Sequence, residues 1–163
     1  MWIKLSDKKK LIFISIIVLS IFFLDQITKK IIIEHFNLRN QIINVTSFLN
    51  FDLIWNDGVA FGLLGFEDTN LYNLVNVIIG LVILVILYLI LKTKDFSIYF
   101  YAMILGGALG NYSDRIRFSA VPDFIDFHIN NYHWFVFNIA DIFVTLGIIC
   151  LIYLEIIDKK KEV

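Results

Sequence analysis

The segment Leu71–Leu91, LYNLVNVIIGLVILVILYLIL, is almost entirely apolar and contains no charged side chain. An α-helix needs about 20 apolar residues to cross the hydrocarbon core of a bilayer. A segment inside lipid must also satisfy its own backbone hydrogen bonds, and a helix does so within itself. The stretch therefore predicts a transmembrane helix.

The rest of the chain extends this prediction to an integral membrane protein. Hydrophobic residues make up 59% of its 163 residues, whereas a soluble domain has about 45–50%. Three further apolar stretches lie at about 11–33, 98–115 and 137–157. We predict an all-α membrane fold of four transmembrane helices, with residues 1–163 forming a single domain.

A small β-containing segment is expected outside the membrane, between the first two helices. Gln41–Ile54 interleaves β-branched and aromatic residues with polar ones, a composition typical of a partly paired strand. The following Asn-Asp-Gly, residues 56–58, is a turn signal. Val59–Phe66 is apolar but too short to span a bilayer, and we predict an interfacial or re-entrant segment there.

The basic residues predict how the chain is oriented. Cytoplasmic loops of membrane proteins carry an excess of Lys and Arg. Nine of the 14 basic residues flank helix ends that would share one side of the membrane. These nine are Lys4, Lys8, Lys9, Lys10, Lys92, Lys94, Lys159, Lys160 and Lys161. Both termini are therefore predicted to be cytoplasmic, and because no long basic tract occurs, nucleic acid is not an expected partner.

The apolar stretches also contain ionisable and small residues. A charge at the centre of a membrane helix costs on the order of 2.5–3.5 kcal/mol, so it usually faces a cavity or a partner. Asp25 and Lys29 are four residues apart and would form an ion pair on one helix face. The glycines in Gly106–Gly110 would let helices approach closely. Packing alone explains those glycines.

Packing does not explain the polar residues toward the outer ends of the third and fourth helices. Asn111, Asp114 and Arg115 share one helix face, at spacings of three and four residues. Asn138 and Asp141 are likewise three residues apart, and Asp141 has no basic neighbour in the sequence. Polar groups that converge on one side of a membrane indicate a common site.

A further candidate lies in the second outward connection, at about 116–136, which we predict to be a loop. Asp123 follows Pro122, whose ring fixes φ and stiffens the chain. A rigid carboxylate suits catalysis, but a loop aspartate is as often simply solvated, and Asp126 is a second acid nearby. Two facing carboxylates share a proton, and such a pair activates water for attack on a carbonyl.

Other functions fit the residues less well. Neither the zinc-protease pattern H-E-x-x-H nor the serine pattern G-x-S-x-G occurs. His35, His128 and His133 lack a metal-ligand spacing, and we predict ordinary interfacial residues and no metal or other cofactor. A proton-coupled transporter would also hold carboxylates in the membrane, but usually at the midplane and with internal repeats. A non-enzymatic scaffold would not explain Asp141 near Asn138.

Five blocks follow one another in an order shared with a known family. They are Asp25–Lys29 (DQITK), similar to D-Q-x-[ST]-K; Asn56–Gly62 (NDGVAFG), similar to N-x-G-x-[AS]-[FW]-[GS]; Gly106–Arg115 (GGALGNYSDR), similar to G-[GA]-A-x-G-N-x-x-D-R; Val121–Phe124 (VPDF), similar to V-x-D-[FY]; and Phe137–Asp141 (FNIAD), similar to F-N-x-A-D. Along nearly its whole length the chain resembles bacterial lipoprotein signal peptidases.

The resemblance implies an aspartic endopeptidase of the bacterial cytoplasmic (inner) membrane, and we expect a monomer. It would remove signal peptides from diacylglyceryl-modified prolipoproteins by cutting before the lipid-modified cysteine, at a site toward the outer face. The blocks select Asp123 rather than Asp126, and pair it with Asp141 as the catalytic dyad. The site-lining residues would be Asn56, Gly58, Asn111, Arg115 and Asn138, supported by Asp25, Lys29 and Asp114.

Small departures from the family pattern concern the walls of the site. Val59, Pro122 and Val136 stand where the family more often has other residues, and they leave the substrate range open. The apolar stretch 60–66 would cover the bound segment as a lid, excluding water other than the nucleophile.

Overall fold

The computed structural model describes residues 5–58, 69–130 and 132–161. Within these ranges the chain forms four helices and four strands. The helices are α1 (Leu5–Arg39), α2 (Thr69–Lys92), α3 (Ser97–Phe118) and α4 (Ile139–Lys161), and the strands are β1 (Ile43–Asn44), β2 (Leu49–Asn56), β3 (Val121–Ile129) and β4 (Tyr132–Phe137).

All four predicted apolar stretches are helical, but their capacity to span a membrane differs. Three segments are long and apolar enough to cross a bilayer, at Lys8–Arg39, Asn70–Lys92 and Ile139–Asp158. The described residues thus give three candidate spans where the sequence predicts four. Helix α3 falls short because its glycines, tyrosines and polar last turns interrupt its apolar run, so it lacks a continuous apolar window long enough to cross a bilayer.

Helix α3 lies at the centre of the bundle, where it packs against α1, α2 and α4. Its inner residues include Ala102 and Leu105, which belong to a core shared with Ile14 of α1 and Ile86 of α2. Large apolar side chains are exposed on the outer faces of the other three helices. A helix surrounded by other helices needs less apolar surface than one that faces lipid, which accounts for the composition of α3.

The glycines of α3 allow the close packing that the sequence predicts. A Cβ atom on Gly107 would collide with the carbonyl oxygen of Ala140 on α4. A Cβ atom on Gly110 would lie 2.5 Å from Oδ2 of Asp25 on α1. The predicted packing role is confirmed, and it brings three helices together at one level.

The four strands form one antiparallel sheet in the order β1-β2-β3-β4. The strand predicted within Gln41–Ile54 is confirmed, and β2 ends at Asn56, where the turn signal begins. The loop predicted at 116–136 is wrong, because most of it forms the β3–β4 hairpin. Strand β3 is buried continuously over residues 121–126, so its sequence lacks the apolar–polar alternation of a half-exposed strand, and its proline and two aspartates disfavour strands.

The predicted interfacial segment Val59–Phe66, with its proposed role as a lid, lies outside the described residues. The effect of Val59 on the site lies there too.

Candidate active site

Strand β3 carries Asp123 into the interior, where both of its carboxylate oxygens accept a hydrogen bond. Asn56 Nδ2 donates to Oδ2 at 2.8 Å, and Asn138 Nδ2 donates to Oδ1 at 2.5 Å. The antiparallel register pairs Asp123 with Ile54, which brings Asn56 to the diagonal position on β2. Asp123 is only 3% exposed, so these two amides replace the water that a surface carboxylate would bind.

Asp141 lies in the first turn of α4, where it takes part in a reciprocal helix cap. The backbone N–H of Asp141 donates to Asn138 Oδ1 at 3.1 Å, and the backbone N–H of Asn138 donates to Asp141 Oδ2 at 3.2 Å. This N-x-x-D arrangement follows the logic of a capping box, in which the cap and the third helical residue satisfy each other's N–H groups. Asn138 therefore bonds to Asp123 and Asp141 at once.

Lys29 of α1 is the centre of a second group of contacts. Its Nζ donates to Asp25 Oδ2 at 2.8 Å, to Asn111 Oδ1 at 2.7 Å and to Asp114 Oδ2 at 2.7 Å. The other oxygen of Asp25 accepts the backbone N–H of Ala140 at 2.9 Å. The predicted Asp25–Lys29 ion pair is confirmed, and the Lys29 ammonium group, which is 2% exposed, has all three protons in use.

Asn111 connects the two groups. Because its Oδ1 accepts from Lys29, its Nδ2 faces away and donates to Asp141 Oδ1 at 2.8 Å. Asn56 is oriented in the same manner, since its Oδ1 accepts the backbone N–H of Gly58 at 3.0 Å while its Nδ2 donates to Asp123. Each carboxylate thus faces an amide whose orientation is set by a third residue.

Arg115 links α3 to the residues that follow strand β2. Its Nη2 donates to the backbone carbonyl of Gly58 at 2.6 Å. Its Nη1 is buried, with no hydrogen-bond partner among residues 5–58, 69–130 and 132–161. The backbone carbonyl of Arg115 accepts from the Tyr72 hydroxyl of α2 at 3.2 Å.

The environment of Asp123 changes its acidity. The pKa of its carboxyl is raised from the usual 3.8 to about 6, first because burial penalises the charged form and second because the charge of Asp141 is close. The hydrogen bonds from Asn56 and Asn138 act in the opposite direction. Near neutral pH this carboxyl is therefore close to its titration point.

All ten residues singled out in the sequence lie in one continuous hydrogen-bond network. Gln26, which was not among the predicted site residues, belongs to it as well. Its Nε2 donates to Asp114 Oδ1 at 3.0 Å, and its Oε1 accepts from Arg117 at 3.2 Å. Its place in the DQITK block is the sequence signal that could have identified it.

Asp126 lies elsewhere. It is 3% exposed, and its Oδ2 is 2.8 Å from Nδ1 of His133. The rings of His128 and His133 stack with their centroids 5.1 Å apart. The spacing of the histidines in the sequence did not indicate this pair, because it is the hairpin register that brings together residues five positions apart.

Comparison with known proteins gives one consistent family. The family model described as signal peptidase (SPase) II matches residues 17–157. A lipoprotein signal peptidase of Pelagibacter ubique (strain HTCC1062) is 45% identical over 148 residues, which cover 90% of this chain and 89% of the relative. That of Francisella tularensis subsp. novicida (strain U112) is 44% identical over 126 residues, covering 75% and 78% of the two chains.

The fold also has solved counterparts. One structure, described as a bacterial membrane enzyme solved by the in meso method at 2.3 Å resolution, matches with a TM-score of 0.74 and 27% identity, covering 92% of this chain and 91% of that one. A second bacterial membrane enzyme, at 1.9 Å resolution, matches with a TM-score of 0.66 and 30% identity over 86% and 90% of the two chains.

Proposed function

The chain belongs to the signal peptidase II family, and from this premise we propose that it is an aspartic endopeptidase which removes the signal peptides of prolipoproteins. The observation that carries the aspartic mechanism is the attachment of two carboxylates, Asp123 and Asp141, to the single residue Asn138. Its substrates are prolipoproteins whose cysteine carries a diacylglyceryl group, and the bond cut is the one before that cysteine.

The proposed chemistry needs one charged and one protonated carboxyl group. Two buried carboxyls close together do not both ionise near neutral pH, and the pair titrates as a unit. The charged carboxylate takes a proton from a water molecule, whose oxygen then attacks the scissile carbonyl carbon. The protonated carboxyl donates to the carbonyl oxygen in this step. When the C–N bond breaks, the departing amine receives the proton taken from water, and a hydroxyl of the tetrahedral intermediate returns its proton to the other carboxylate. The raised pKa of Asp123, about 6, supports such sharing.

The remaining network residues act as positioning groups in this proposal. Lys29 holds the Asn111 amide so that its N–H group points at Asp141, and Gly58 does the same for Asn56 toward Asp123. Preorganised donors stabilise the ionised carboxylate without any rearrangement during the reaction. The Arg115 guanidinium, whose buried Nη1 has no hydrogen-bond partner in the part of the chain that the structure describes, would bind the substrate backbone.

The membrane arrangement supports a lipid-modified substrate. Strand β2 precedes α2, and strand β3 follows α3, yet the two strands pair with each other. If α2 crosses the bilayer, α3 must cross back to return the chain to the same side. This supports α3 as a fourth span and the sheet as an outward-facing element of a bacterial inner-membrane protein. The acyl chains of the substrate would then stay in lipid while the peptide reaches Asp123 and Asp141.

A cleavage assay on a purified diacylglyceryl-modified prolipoprotein tests the mechanism. Asp123→Asn and Asp141→Asn should each lower the rate by about 10²–10⁴, the scale of lost general acid–base catalysis. The double variant should be little slower than either single one, because residues that act as a unit are not additive. Asp52→Asn, on β2 but outside the network, serves as the matched control and should cleave normally. Normal cleavage by both dyad variants would rule out the aspartic mechanism.

A further inference from the structure

A second cluster of chemically capable side chains lies on the β3–β4 hairpin. The register places His133 of β4 directly across from His128 of β3, so the two rings lie on one face of the sheet. Asp126 points to that face as well, because its Oδ2 lies 2.8 Å from Nδ1 of His133. The hairpin itself thus brings together two imidazoles and a carboxylate.

The potential ligand atoms of the three residues lie close enough together to bind one ion after small side-chain shifts. One potential ligand atom from each of the three residues lies within 4.8 Å of the other two. Oδ2 of Asp126 is 2.8 Å from Nδ1 of His133 and 3.9 Å from Nδ1 of His128. Tetrahedral zinc bonds to nitrogen and oxygen at about 2.0–2.2 Å, so shifts of about 1 Å in the side chains would complete the coordination.

Two polar atoms of the cluster are buried without a hydrogen-bond partner among the described residues. They are Oδ1 of Asp126 and Nδ1 of His128. Asp126 is only 3% exposed. A buried polar atom that lacks a partner is unfavourable, and where a native protein keeps one, a bound ion or water is a usual explanation. Here the two unpartnered atoms lie beside the imidazole of His133, a further potential metal ligand, and this favours a bound ion over a water molecule.

We propose that Asp126, His128 and His133 bind a divalent transition-metal ion of the Zn²⁺ class. Two imidazole nitrogens and one carboxylate oxygen are ligands that zinc commonly takes from proteins. Three protein ligands leave a fourth tetrahedral position for water. The side chain of His133 is 54% exposed, which gives the ion a path of entry from solvent.

The ion would act on the fold rather than on peptide hydrolysis. Asp123 and Asp126 are three positions apart on β3, so their side chains project to opposite faces of the strand. An ion held by His128 and His133 joins β3 to β4 close to the turn of the hairpin. Because it binds only when the two strands are paired, it stabilises the folded sheet by mass action.

The test is a calorimetric titration of Zn²⁺ into tag-free, EDTA-stripped, full-length protein in detergent micelles. The wild type should bind one ion per chain. His133→Ala, which removes the most exposed ligand and disturbs packing least, should weaken binding by at least about 10-fold, since even altered outer-shell partners of a metal ligand have effects of that size. His35→Ala, which removes the histidine on α1 outside the cluster, should leave the affinity unchanged.

A second readout separates ligand loss from unfolding. Zn²⁺ should raise the melting temperature of the wild type and of His35→Ala, but not that of His133→Ala or Asp126→Asn. Co²⁺ bound to the wild type should show the visible absorption of a tetrahedral site, and the His133→Ala protein should not. The proposal is overturned if the wild type shows no saturable Zn²⁺ binding, or if His35→Ala weakens it as much as His133→Ala does. Either result leaves the peptidase mechanism untouched, because the two sites share no residue.

Discussion

At the scale of single residues, Asn138 connects folding to the proposed chemistry. Its backbone and side chain cap α4 through Asp141, and its remaining amide protons reach Asp123 on a different element. The spacing of Asn138 and Asp141 could be predicted to place both on one helix face. The meeting with Asp123 could not, because it depends on a strand that sequence patterning did not reveal. For the same reason, residue chemistry alone left Asp123 and Asp126 as equal candidates.

The raised pKa of Asp123 predicts how the stability of the wild type depends on pH. Between about pH 4 and 6 the folded carboxyl keeps a proton that the unfolded chain, with a pKa of 3.8, has already released. The folded state then binds more protons, so the free energy of unfolding falls as the pH rises through this window. The loss should be on the order of 2–3 kcal/mol, since one pKa unit corresponds to about 1.4 kcal/mol.

Thermal unfolding of the wild type and of Asp123→Asn, measured in detergent from pH 4 to 7, provides the comparison. The melting temperature of the wild type should decline relative to that of the variant as the pH increases. Parallel curves for the two proteins would contradict the raised pKa.

A second prediction at this scale concerns the guanidinium of Arg115. Its Nη2 donates to the Gly58 carbonyl at 2.6 Å, and Nη1 offers a further donor in the same buried plane. A lysine ammonium keeps the charge but cannot present this planar pair of donors. Arg115→Lys should lower kcat/KM by about 10- to 100-fold, the effect of losing a hydrogen bond of 1.5–3 kcal/mol to a charged group.

The chain offers a matched control for this change two residues further along α3. Arg117 is exposed and bonds only to Gln26 among the residues that the structure describes. Arg117→Lys should cleave the prolipoprotein at nearly the rate of the wild type. A fully active Arg115→Lys would mean that charge alone is required at that position.

At the scale of secondary structure, hydropathy was a good guide to helices and a poor one to the sheet. Long apolar runs in lipid have few alternatives to a helix, so α1, α2 and α4 could be predicted from composition and length. Strand β3 could not, because it is covered on both faces and carries two aspartates whose partners lie on other strands. Helix α3 falls between these cases. Its small residues predicted close packing, but only its central position explains why small and polar residues interrupt its apolar run.

Gly110 of α3 lies where α1, α3 and α4 meet, and we predict that this position does not tolerate a larger side chain. A Cβ atom at Gly110 would lie 2.5 Å from the Asp25 carboxylate and 3.5 Å from Cβ of Ala140. That carboxylate is held by Lys29 and cannot move aside without breaking the ion pair. Gly110→Ala should lower the free energy of unfolding by about 1–3 kcal/mol, the usual effect of overpacking a core.

Gly80→Ala on α2 is the control for the glycine at position 110. Its added Cβ atom would meet only the end of the Tyr112 side chain, at 3.1 Å, and a tyrosine hydroxyl can shift. Alanine is also favoured over glycine inside a helix by about 0.5–1 kcal/mol. Thermal unfolding in detergent should therefore show a clear decrease in melting temperature for Gly110→Ala and little change for Gly80→Ala. Equal melting temperatures would show that the helix junction tolerates a methyl group.

At the scale of the whole molecule, the two ends of the helix bundle differ in charge and in chemistry. The Nζ of Lys10, near the start of α1, donates to the backbone carbonyl of Lys94 in the α2–α3 connection at 2.9 Å. These two basic segments therefore lie at the same end of the bundle. The sheet lies at the other end, because its strands follow α1 and α3 and precede α2 and α4. This separation agrees with the charge asymmetry from which the orientation was predicted.

The last prediction concerns that orientation and is tested by labelling single cysteines in intact cells. The natural Cys150, within α4 and partly buried, is first changed to serine, and this background should keep its activity. Ser47→Cys, an exposed and nearly isosteric change between β1 and β2, should react with a membrane-impermeant maleimide added from outside. Lys94→Cys should react only after the membrane is permeabilised, because the basic α2–α3 connection is predicted to face the cytoplasm. Since β2 and β3 are hydrogen-bonded, labelling of Ser47→Cys from outside would mean that the β3–β4 hairpin is on the outer side as well, and α3 would then have to span the bilayer.

The reverse labelling pattern would place the carboxylate pair at the cytoplasmic face and would refute the orientation. Labelling of both positions from outside would refute the crossing of α2 and of α3 together.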